Sequence, residues 1–534
     1  MNRLSPLVII TAFAVLGLTA SAMPDDEPVD AKIPNDDPAV AKIPVISPPT
    51  VAAATVSQQI DALFEQRWRQ DGFHPMPLSD DAAFMRRLSL DLTGIIPEAN
   101  EARDFLSETD PEKRVRLIDH LLSDPRHAAH LANVWRDVLL PRTVPDPVSL
   151  TFERWLKERF QAGVPYDQFV RDILLARGSL EQAPQGLFFT AVEAKPSELA
   201  SNSSRAFLGM QIRCAECHDH PFDTWKQDDF WGLAAFFARV QAPADVFRPG
   251  AIADVMIGEV QNPTTKQTIA PIFPGGGAVE LQTSEPRRAI LARWMTSDEN
   301  PWFARAAVNR VWWIMFGRGL VHPVDNMGPH NPPTHPEVLE LLTADFIANN
   351  HDVKRLVRII AGSRVYQLAS ATDGNDDAFS NYTAMIVRSL SSKQIYDCMI
   401  RATGRRDPLD STAVAFANQR REFLAQIDVP IREAAEFQGG IPQTLSMLNG
   451  PLVAELTNPI SSDLVAALAD SPFLTNEQRI DAIFLSAITR YPTPVEWEQI
   501  SQWMDSQGND ADVARFLSDL LWALVNSSDF SLCR

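Results

Sequence analysis

Apolar residues recur at intervals of three and four along most of this chain, which is the spacing that places them on one face of an α-helix. The pattern begins near Val56 and continues, interrupted by Gly and Pro, to the C-terminal region. Representative sets are Ile60, Leu63, Phe64 and Trp68; Phe84, Leu88 and Leu92; and Leu131, Val134, Trp135 and Val138. The spacing predicts a mainly α protein.

The composition changes between residues 241 and 286, where Pro, Gly and β-branched residues become frequent. Two β-prone runs, 255–260 and 267–272, flank an Asn-Pro-Thr-Thr turn and predict a β-hairpin. We therefore expect two helical domains, residues 56–240 and 287–534, with a small β-hairpin insertion at 241–286 between them. Locally, the spacing of Arg87 and Asp91 predicts a helical ion pair, and Thr334 with Glu337 predicts a capping box.

The N-terminal residues predict the compartment. Residues 1–22 combine Asn2-Arg3, an apolar run at 7–18 and small residues ending at Ala22, the layout of a cleavable secretory signal peptide. We expect cleavage near Ala22 and export to the periplasm or the extracellular space. Residues 23–55 form a Pro-rich acidic linker with a tandem decapeptide repeat. No later apolar run reaches the length of about 20 residues that a membrane helix needs. We therefore expect that the protein is not an integral membrane protein.

The charge balance narrows the possible partners. Acidic residues outnumber basic ones by 68 to 48, and the net charge is −20. Because this charge repels phosphate groups, nucleic acid is excluded as a partner. The sequence also contains no Gly-rich phosphate loop, nucleophile elbow or His-Glu-x-x-His pattern.

The segment Cys214-Ala215-Glu216-Cys217-His218-Asp219-His220 carries the strongest chemical signal. Cys-x-x-Cys-His is the spacing of c-type haem attachment, in which two thiols bond the porphyrin and the histidine ligates iron. Cys214 and Cys217 are therefore candidate attachment thiols for haem c, and His218 is the candidate proximal ligand. A sixth iron ligand would come from Met327, His322, His330 or His335.

Three other interpretations of this segment stay open. Cys214, Cys217, His218 and His220 are ligand types that suit zinc or iron, with loop histidines able to complete the set. The two cysteines could instead form a local disulfide, structural or redox-active. In the last interpretation no cofactor binds, and the residues serve packing. The sequence also leaves open whether Cys398 and Cys533 pair.

A His-rich loop at residues 322–335 is the second candidate site. It gathers His322, His330, His335 and Asp325 in a segment stiffened by Gly and Pro. We list His218, His220, His330 and His335 as candidate metal ligands, and we expect this loop and the Cys-His segment to form a single cleft if the two helical domains face each other. The aromatic stripe of Phe230, Leu233 and Phe237 beside the Cys-His segment is expected to be core.

Several motifs together resemble one family. They are residues 84–97 (FMRRLSLDLTGIIP), 214–222 (CAECHDHPF) with Trp225, 229–231 (DFW), 300–312 (NPWFARAAVNRVW), 328–337 (GPHNPPTHPE) and 448–451 (LNGP). With these motifs the chain resembles the planctomycete cytochrome-associated proteins of unknown function, from about residue 59 to the C-terminus. The resemblance implies an N-terminal PSCyt-type domain followed by a C-terminal PSD-type domain, and it implies no settled reaction. Many larger members carry a separate c-type haem domain where this chain has its Pro-rich linker.

These observations lead to one principal function and two alternatives. The principal expectation is an exported electron-transfer or haem-dependent redox protein that meets a redox or extracellular protein partner. The alternatives are a non-catalytic helical binding or scaffold protein with a structural Cys-His segment, and a metal-dependent hydrolase.

Overall fold

A computed structural model describes residues 51–534 except 222, 244, 248–249, 277–278, 280, 282–284, 372–375, 406–413, 428–440 and 506–509. The predicted signal peptide and all but the last five residues of the predicted linker lie outside the described residues. Within the described part, the protein is mainly α, as predicted.

The N-terminal half contains ten α-helices in the described part of the chain. They are α1 (Ala53–Asp71), α2 (Asp81–Thr93), α3 (Ala99–Ser107), α4 (Lys113–Ser123), α5 (Pro125–Leu139), α6 (Asp146–Gln161), α7 (Tyr166–Leu174), α8 (Leu187–Thr190), α9 (Pro196–Ser203) and α10 (Gln227–Ala234). Short 3-10 turns lie at Pro184–Gly186 and Arg213–Glu216, and a π-helical turn lies at Ser204–Leu208.

The C-terminal half is also helical. Its described helices are α11 (Arg287–Met295), α12 (Phe303–Phe316), α13 (Pro336–Ala348), α14 (Val353–Gly362), α15 (Asp376–Ser380), α16 (Ser392–Ala402), α17 (Val414–Ile427), α18 (Ile441–Asn449), α19 (Pro451–Thr457), α20 (Asp463–Asp470), α21 (Asn476–Ile488), α22 (Pro494–Asp505), α23 (Asp510–Val525) and α24 (Ser528–Ser531). None of the described helices is both long enough and apolar enough for a membrane span.

Three antiparallel strand pairs complete the described structure. The strands are β1 (Val240–Gln241), β2 (Ala253–Asp254), β3 (Val260–Gln261), β4 (Thr268–Ile269), β5 (Arg388–Ser389) and β6 (Leu532–Cys533). The predicted hairpin is β3 paired with β4, with Val260 opposite Ile269. Its turn is closed by the Asn262 side chain, which accepts hydrogen bonds from the backbone nitrogens of Thr264 and Thr265.

The helical periodicity identified the buried faces correctly. On α1, Ile60 and Phe64 are fully buried and Trp68 is nearly so. Gly94 follows α2 in the left-handed conformation and ends it, as the sequence predicted. The predicted capping box before α13 is wrong, because the Thr334 hydroxyl donates to the Leu320 carbonyl and does not cap the helix.

Two large hydrophobic cores share the helix α2. The first core draws on residues from Val56 to Met385 together with Leu485, so both predicted helical domains contribute to it. The second core consists of Leu90, Ile95 and Ile96 together with residues from Leu390 to Cys533. Phe84, Leu88 and Leu92 of α2 face the first core, whereas Leu90 faces the second. As a result, every residue from Phe84 to Thr93 is buried.

Burial of α2 includes three charged side chains, each of which has polar partners. Arg86 donates to the carbonyls of Ala487 and Phe530. Arg87 donates to the carbonyls of Tyr366 and Leu368 at 2.7 and 2.9 Å, and to that of Arg534 at 3.0 Å. Both arginines therefore bind backbone carbonyls of the C-terminal half, which replaces the water that they lose on burial.

Asp91 pairs with a residue far away in the sequence. Its carboxylate lies 2.7 and 2.9 Å from one guanidinium nitrogen of Arg388 and accepts a 2.8 Å hydrogen bond from the Tyr366 hydroxyl. The predicted ion pair with Arg87 is therefore wrong, since the ion-pair partner of Asp91 is Arg388 on β5.

The substitution Asp91→Asn is expected to destabilise the protein by about 3–5 kcal/mol, because it leaves the Arg388 charge buried without its counter-charge. Chemical denaturation of the purified protein measures this change. The matched control is Asp104→Asn, which removes a pair with Arg103 that is mostly solvent-exposed and should cost about 0–1 kcal/mol. Equal effects of the two substitutions would contradict the role assigned to Asp91.

Candidate functional site

The two cysteines of the Cys-His segment flank a buried alanine. Arg213–Glu216 forms a 3-10 turn in which Ala215 is fully buried, whereas Cys214 and Cys217 are exposed. The turn starts from a hydrogen bond between the Ala215 nitrogen and the Ile212 carbonyl, 3.0 Å long. Anchoring the middle of the turn in the core leaves both thiols at the surface, without a disulfide between them.

His218 is exposed and oriented by its own backbone. Its Nδ1 lies 2.7 Å from the Asp219 carbonyl oxygen, so Nδ1 carries the hydrogen and donates it. In the neutral imidazole this leaves Nε2 as the nitrogen with an available lone pair. A backbone carbonyl in this position is the usual way in which proteins fix the tautomer of a metal-binding histidine.

Helix α10 holds the Cys-His segment in place. The Glu216 carbonyl accepts hydrogen bonds from the side chains of Gln227 and Trp231, each 3.1 Å long. Gln227 is the first residue of α10, and its backbone nitrogen donates a 2.9 Å hydrogen bond to the Asp219 carboxylate. Phe230, Leu233 and Phe237 are fully buried, which confirms that this aromatic stripe is core.

The His-rich loop is shaped by Asn309, a fully buried residue of α12. Its side-chain amide donates to the carbonyls of Val321 and Val324 and accepts a hydrogen bond from the Val321 nitrogen. Asn331 closes the loop further by donating to the carbonyls of His322 and Asn326. These bonds give the loop a defined conformation.

The Cys-His segment and the His-rich loop meet. The Met327 nitrogen donates to the Gly209 carbonyl at 2.8 Å, and the Gln211 side chain donates to Asp325 at 2.7 Å. Close approach requires glycine at 209, because a Cβ there would lie 2.8 Å from the Met327 sulfur. Residues 209–221, 223 and 325–330 together form what we call the candidate site.

His330 is the histidine of the loop that faces the Cys-His segment. Its ring centroid lies 6.4 Å from that of His220. Its Nδ1 lies 3.3 Å from the Asp223 carboxylate, and its Nε2 lies 3.1 Å from the Asn326 side-chain oxygen. Because the Asp223 side chain is only 5% exposed, this contact is partly shielded from water and orients the imidazole.

Gly328 makes the contact between Asp223 and His330 possible. A Cβ at this position would lie 2.7 Å from the His330 ring and 2.8 Å from the Asp223 carboxylate. Both distances are shorter than side chains tolerate, so any other residue would push the pair apart.

Two protein family models match this chain. The family model PSCyt2, a protein of unknown function (DUF1549), matches residues 59–242, and the model PSD1, also a protein of unknown function (DUF1553), matches residues 287–426. The chain belongs to the PSCyt2–PSD1 family. The order of the two domains is the one that the motifs predicted. No curated protein and no solved structure matches the chain.

The candidate site joins the two family domains. Cys214, His220 and Asp223 belong to the PSCyt2 match, whereas Asn326 and His330 belong to the PSD1 match. The rings of His220 and His330 thus lie close together across the two domain matches, and the single cleft that includes the cysteines stays a prediction.

His335 lies in a different environment from His330. It is 3% exposed, and its ring packs against Phe64 at 4.5 Å and Tyr382 at 5.6 Å, measured between centroids. Burial lowers the pKa of His335 to about 4, so it is neutral at pH 7. The structure thus brings His220 and His330 together and places His335 in the aromatic core of the protein.

Other residues of the site escaped sequence reasoning. Asp223 and Gly328 act through contacts between the two domains, which no local pattern reveals, whereas Asn326 acts within the loop by contacting His330. A partial signal existed for Gly328, because it opens the 328–337 motif. Of the four expected sixth ligands, His330 is the one whose ring faces His220, while Met327 is buried against Gly209.

The arrangement of the described residues can be compared with what each candidate cofactor needs. Among the described residues, no group of three or more His, Cys, Asp or Glu side chains is arranged to hold a metal ion. Covalent haem attachment needs two accessible thiols and one available imidazole nitrogen, and Cys214, Cys217 and His218 provide these. The residues present therefore fit haem c in type, order and exposure.

The remaining cysteines are buried and are not bridged. Cys398 and Cys533 are free thiols inside the second core. Burial raises the pKa of Cys398 to about 12 and also raises the pKa of Cys533. Both stay protonated at pH 7, which leaves them unreactive compared with the exposed pair.

The substitution Gly328→Ala is expected to separate Asp223 from His330 and to lower stability by about 1–3 kcal/mol. Nuclear magnetic resonance of the imidazole nitrogens checks the first effect, since the His330 signals should shift while those of His335 should not. Gly362→Ala is the control, because its Cβ would meet only the Ser57 hydroxyl, at 3.2 Å. Unchanged His330 signals in Gly328→Ala would contradict the assigned contact.

The buried neutral His335 predicts a pH dependence of stability. Its folded pKa of about 4 lies below the ordinary value of 6.5, so between these values the unfolded chain binds a proton that the folded protein does not. Stability is therefore lost as the pH falls from 6.5 towards 4.

The variant His335→Phe should reduce the slope of the free energy of unfolding against pH by up to about 1.4 kcal/mol per pH unit. Denaturant unfolding between pH 6.5 and 5 measures the slope. His120→Phe, at an exposed position on α4, should leave the slope unchanged. An identical slope for His335→Phe and the wild type would show that His335 is not buried as a neutral group.

Proposed function

We propose that this protein is an exported c-type haem protein that transfers electrons, with haem attached to Cys214 and Cys217 and with His218 as the proximal ligand. The observation that supports this most directly is the pair of exposed free thiols flanking the buried Ala215, next to an exposed His218 whose Nδ1 is engaged by the Asp219 carbonyl. The predicted signal peptide at residues 1–22 supports export, which c-type attachment requires.

The protein residues have separate roles in this proposal. Ala215 and the hydrogen bonds from Gln227 and Trp231 to Glu216 hold the turn, so that both thiols project from one rigid segment. The hydrogen bond from Nδ1 fixes the orientation of His218 and keeps Nε2 directed away from the backbone. When bound, haem would supply a one-electron redox couple, with a potential that depends on axial ligation and solvent exposure.

His330 is the residue that best suits the distal side. Asp223 holds its ring beside His220, at the junction of the PSCyt2 and PSD1 domains. His330 would hold iron through Nε2, the nitrogen that now contacts Asn326, and the Asp223 carboxylate beside Nδ1 would orient the ring. A redox protein outside the cytoplasm is the proposed partner.

A second candidate function is a binding or scaffold protein in which the Cys-His segment is structural. The observation that favours it is the set of hydrogen bonds by which Gly209, Gln211 and Asp219 are tied to the PSD1 loop and to α10. In this case the segment joins the two domains and the thiols stay unmodified.

Expression with an export signal in a host that has c-type maturation machinery separates these functions. The wild-type protein should retain a haem absorption band after denaturation, and its intact mass should increase by one haem. Cys214→Ala/Cys217→Ala should lose the band completely, whereas Cys398→Ala, which removes a buried thiol, should retain it. A wild-type protein without haem, produced beside a control cytochrome that matures, would exclude the proposal.

The variant His218→Ala tests the axial ligand within the same preparation. It should keep the covalently attached haem but change the spectrum from that of the wild type, because iron loses its proximal nitrogen. His120→Ala, at an exposed surface position, should have the wild-type spectrum. Zinc or iron without porphyrin in the metal analysis would instead support the hydrolase alternative.

A further inference from the structure

A small cavity lies inside the protein where the PSCyt2 helices meet the PSD1 helices. On one side it is lined by residues of α2, α5 and α7, among them Asp91, His127 and Tyr166. On the other side it is lined by apolar residues of α12, α13 and α14, among them Val311 and Phe346. It is separate from the candidate site, none of whose residues line it.

Two polar atoms in this cavity have no hydrogen-bonding partner in the described part of the protein. They are Nε2 of His127 and the hydroxyl of Tyr166, on side chains that are 1% and 2% exposed. Buried polar atoms are nearly always hydrogen-bonded in folded proteins. Two such atoms on the wall of one cavity therefore point to a bound molecule that joins them.

The protonation states of His127 and Tyr166 define which hydrogen bonds a bound molecule must make. His127 Nδ1 lies 2.9 Å from the Leu92 carbonyl and donates to it, and burial lowers the pKa of His127 to about 4. Its Nε2 is therefore a hydrogen-bond acceptor at pH 7. Burial raises the pKa of Tyr166, so its hydroxyl keeps its hydrogen and can donate it. The bound molecule must accept one hydrogen bond and donate another.

The size of the cavity restricts the ligand to one of the smallest polar molecules. The space open to the centre of a water molecule is about 10 Å³, which is close to the lower limit for a single buried water. An anion such as sulfate or phosphate, or an organic ligand, is too large. Asp91 also lines the cavity, and two to four polar partners are what a buried water requires.

We propose that this cavity binds one structural water molecule, which accepts a hydrogen bond from Tyr166 and donates one to His127. The water joins α5, which carries His127, to α7, which carries Tyr166. Both helices belong to the PSCyt2 domain, and they meet the PSD1 domain at this cavity. The water would thereby complete the hydrogen bonding of the domain junction, and the proposal is independent of haem binding.

The decisive experiment is a crystal structure of the full protein at a resolution that shows ordered water. The wild type should have a density peak within about 3.2 Å of both His127 Nε2 and the Tyr166 hydroxyl. The peak should be lost or displaced in Tyr166→Phe. A cavity without density in the wild type would overturn the proposal.

Thermal unfolding gives a second test, because the two possibilities predict shifts of opposite sign. If the water is present, Tyr166→Phe removes a hydrogen bond and lowers Tm. If the hydroxyl has no partner, its removal relieves an unpaired polar group and leaves Tm unchanged or raises it. An unchanged or raised Tm would therefore also overturn the proposal.

The matched control is Tyr396→Phe in the second core. Tyr396 is fully buried, its hydroxyl also lacks a hydrogen-bonding partner among the described residues, and it does not line the cavity. Its substitution should leave Tm unchanged or raise it, and the proposal requires Tyr166→Phe to lie clearly below this control.

Discussion

The buried ion pair between Asp91 and Arg388 is the interaction on which the arrangement of this molecule most depends. Helix α2 lies between two hydrophobic cores, which bury the charged residues Arg86, Arg87 and Asp91. A buried carboxylate is tolerated only with a counter-charge and hydrogen bonds, and Arg388 and Tyr366 supply these. Arg388 also donates to the Ile314 carbonyl on α12. One buried ion pair therefore links α2 to α12, the helix that precedes the His-rich loop in the chain.

From α12 onwards, the candidate site is positioned by backbone contacts more than by side-chain charge. Asn309 fixes the start of the loop through three hydrogen bonds, and Gly209 permits the loop to approach the Cys-His segment to backbone distance. Gly328 then leaves room for Asp223 to reach His330. Each of these residues acts by shape or by hydrogen bonding to the backbone, so the site tolerates exposed, chemically reactive side chains without losing its geometry. The two thiols contribute little to folding because Ala215, between them, is the residue that anchors the turn.

Much of the fold could be predicted from the sequence, because helix periodicity and Gly or Pro stops are local signals. The failures share one cause, which is that a partner distant in the sequence replaced a near one. Arg87 and Asp91 have the spacing of a helical ion pair, yet burial on all sides made backbone carbonyls and Arg388 the better partners. Thr334 has the spacing of a capping residue, yet its hydroxyl donates to Leu320. In the candidate site, the sequence singled out Cys214, Cys217 and His218 as candidates but not Asp223, and it could not separate His330 from His335. These two histidines are five residues apart, and only packing against Phe64 and Tyr382 distinguishes them.

The exposure of the Cys-His segment also limits the chemistry that it can support. An enzyme that protects a reactive intermediate needs a cavity from which water is excluded, whereas Cys214, Cys217 and His218 all lie at the surface. A group attached to these thiols would meet solvent on at least one side, and a protein partner could approach it directly. Under the proposed function, this exposure would let electrons pass directly between the attached group and a partner protein. Beside this segment, the Asp223 side chain is nearly buried whereas its partner His330 is an exposed residue, so under the proposed function the contact of Asp223 would orient a histidine that itself stays accessible from solvent.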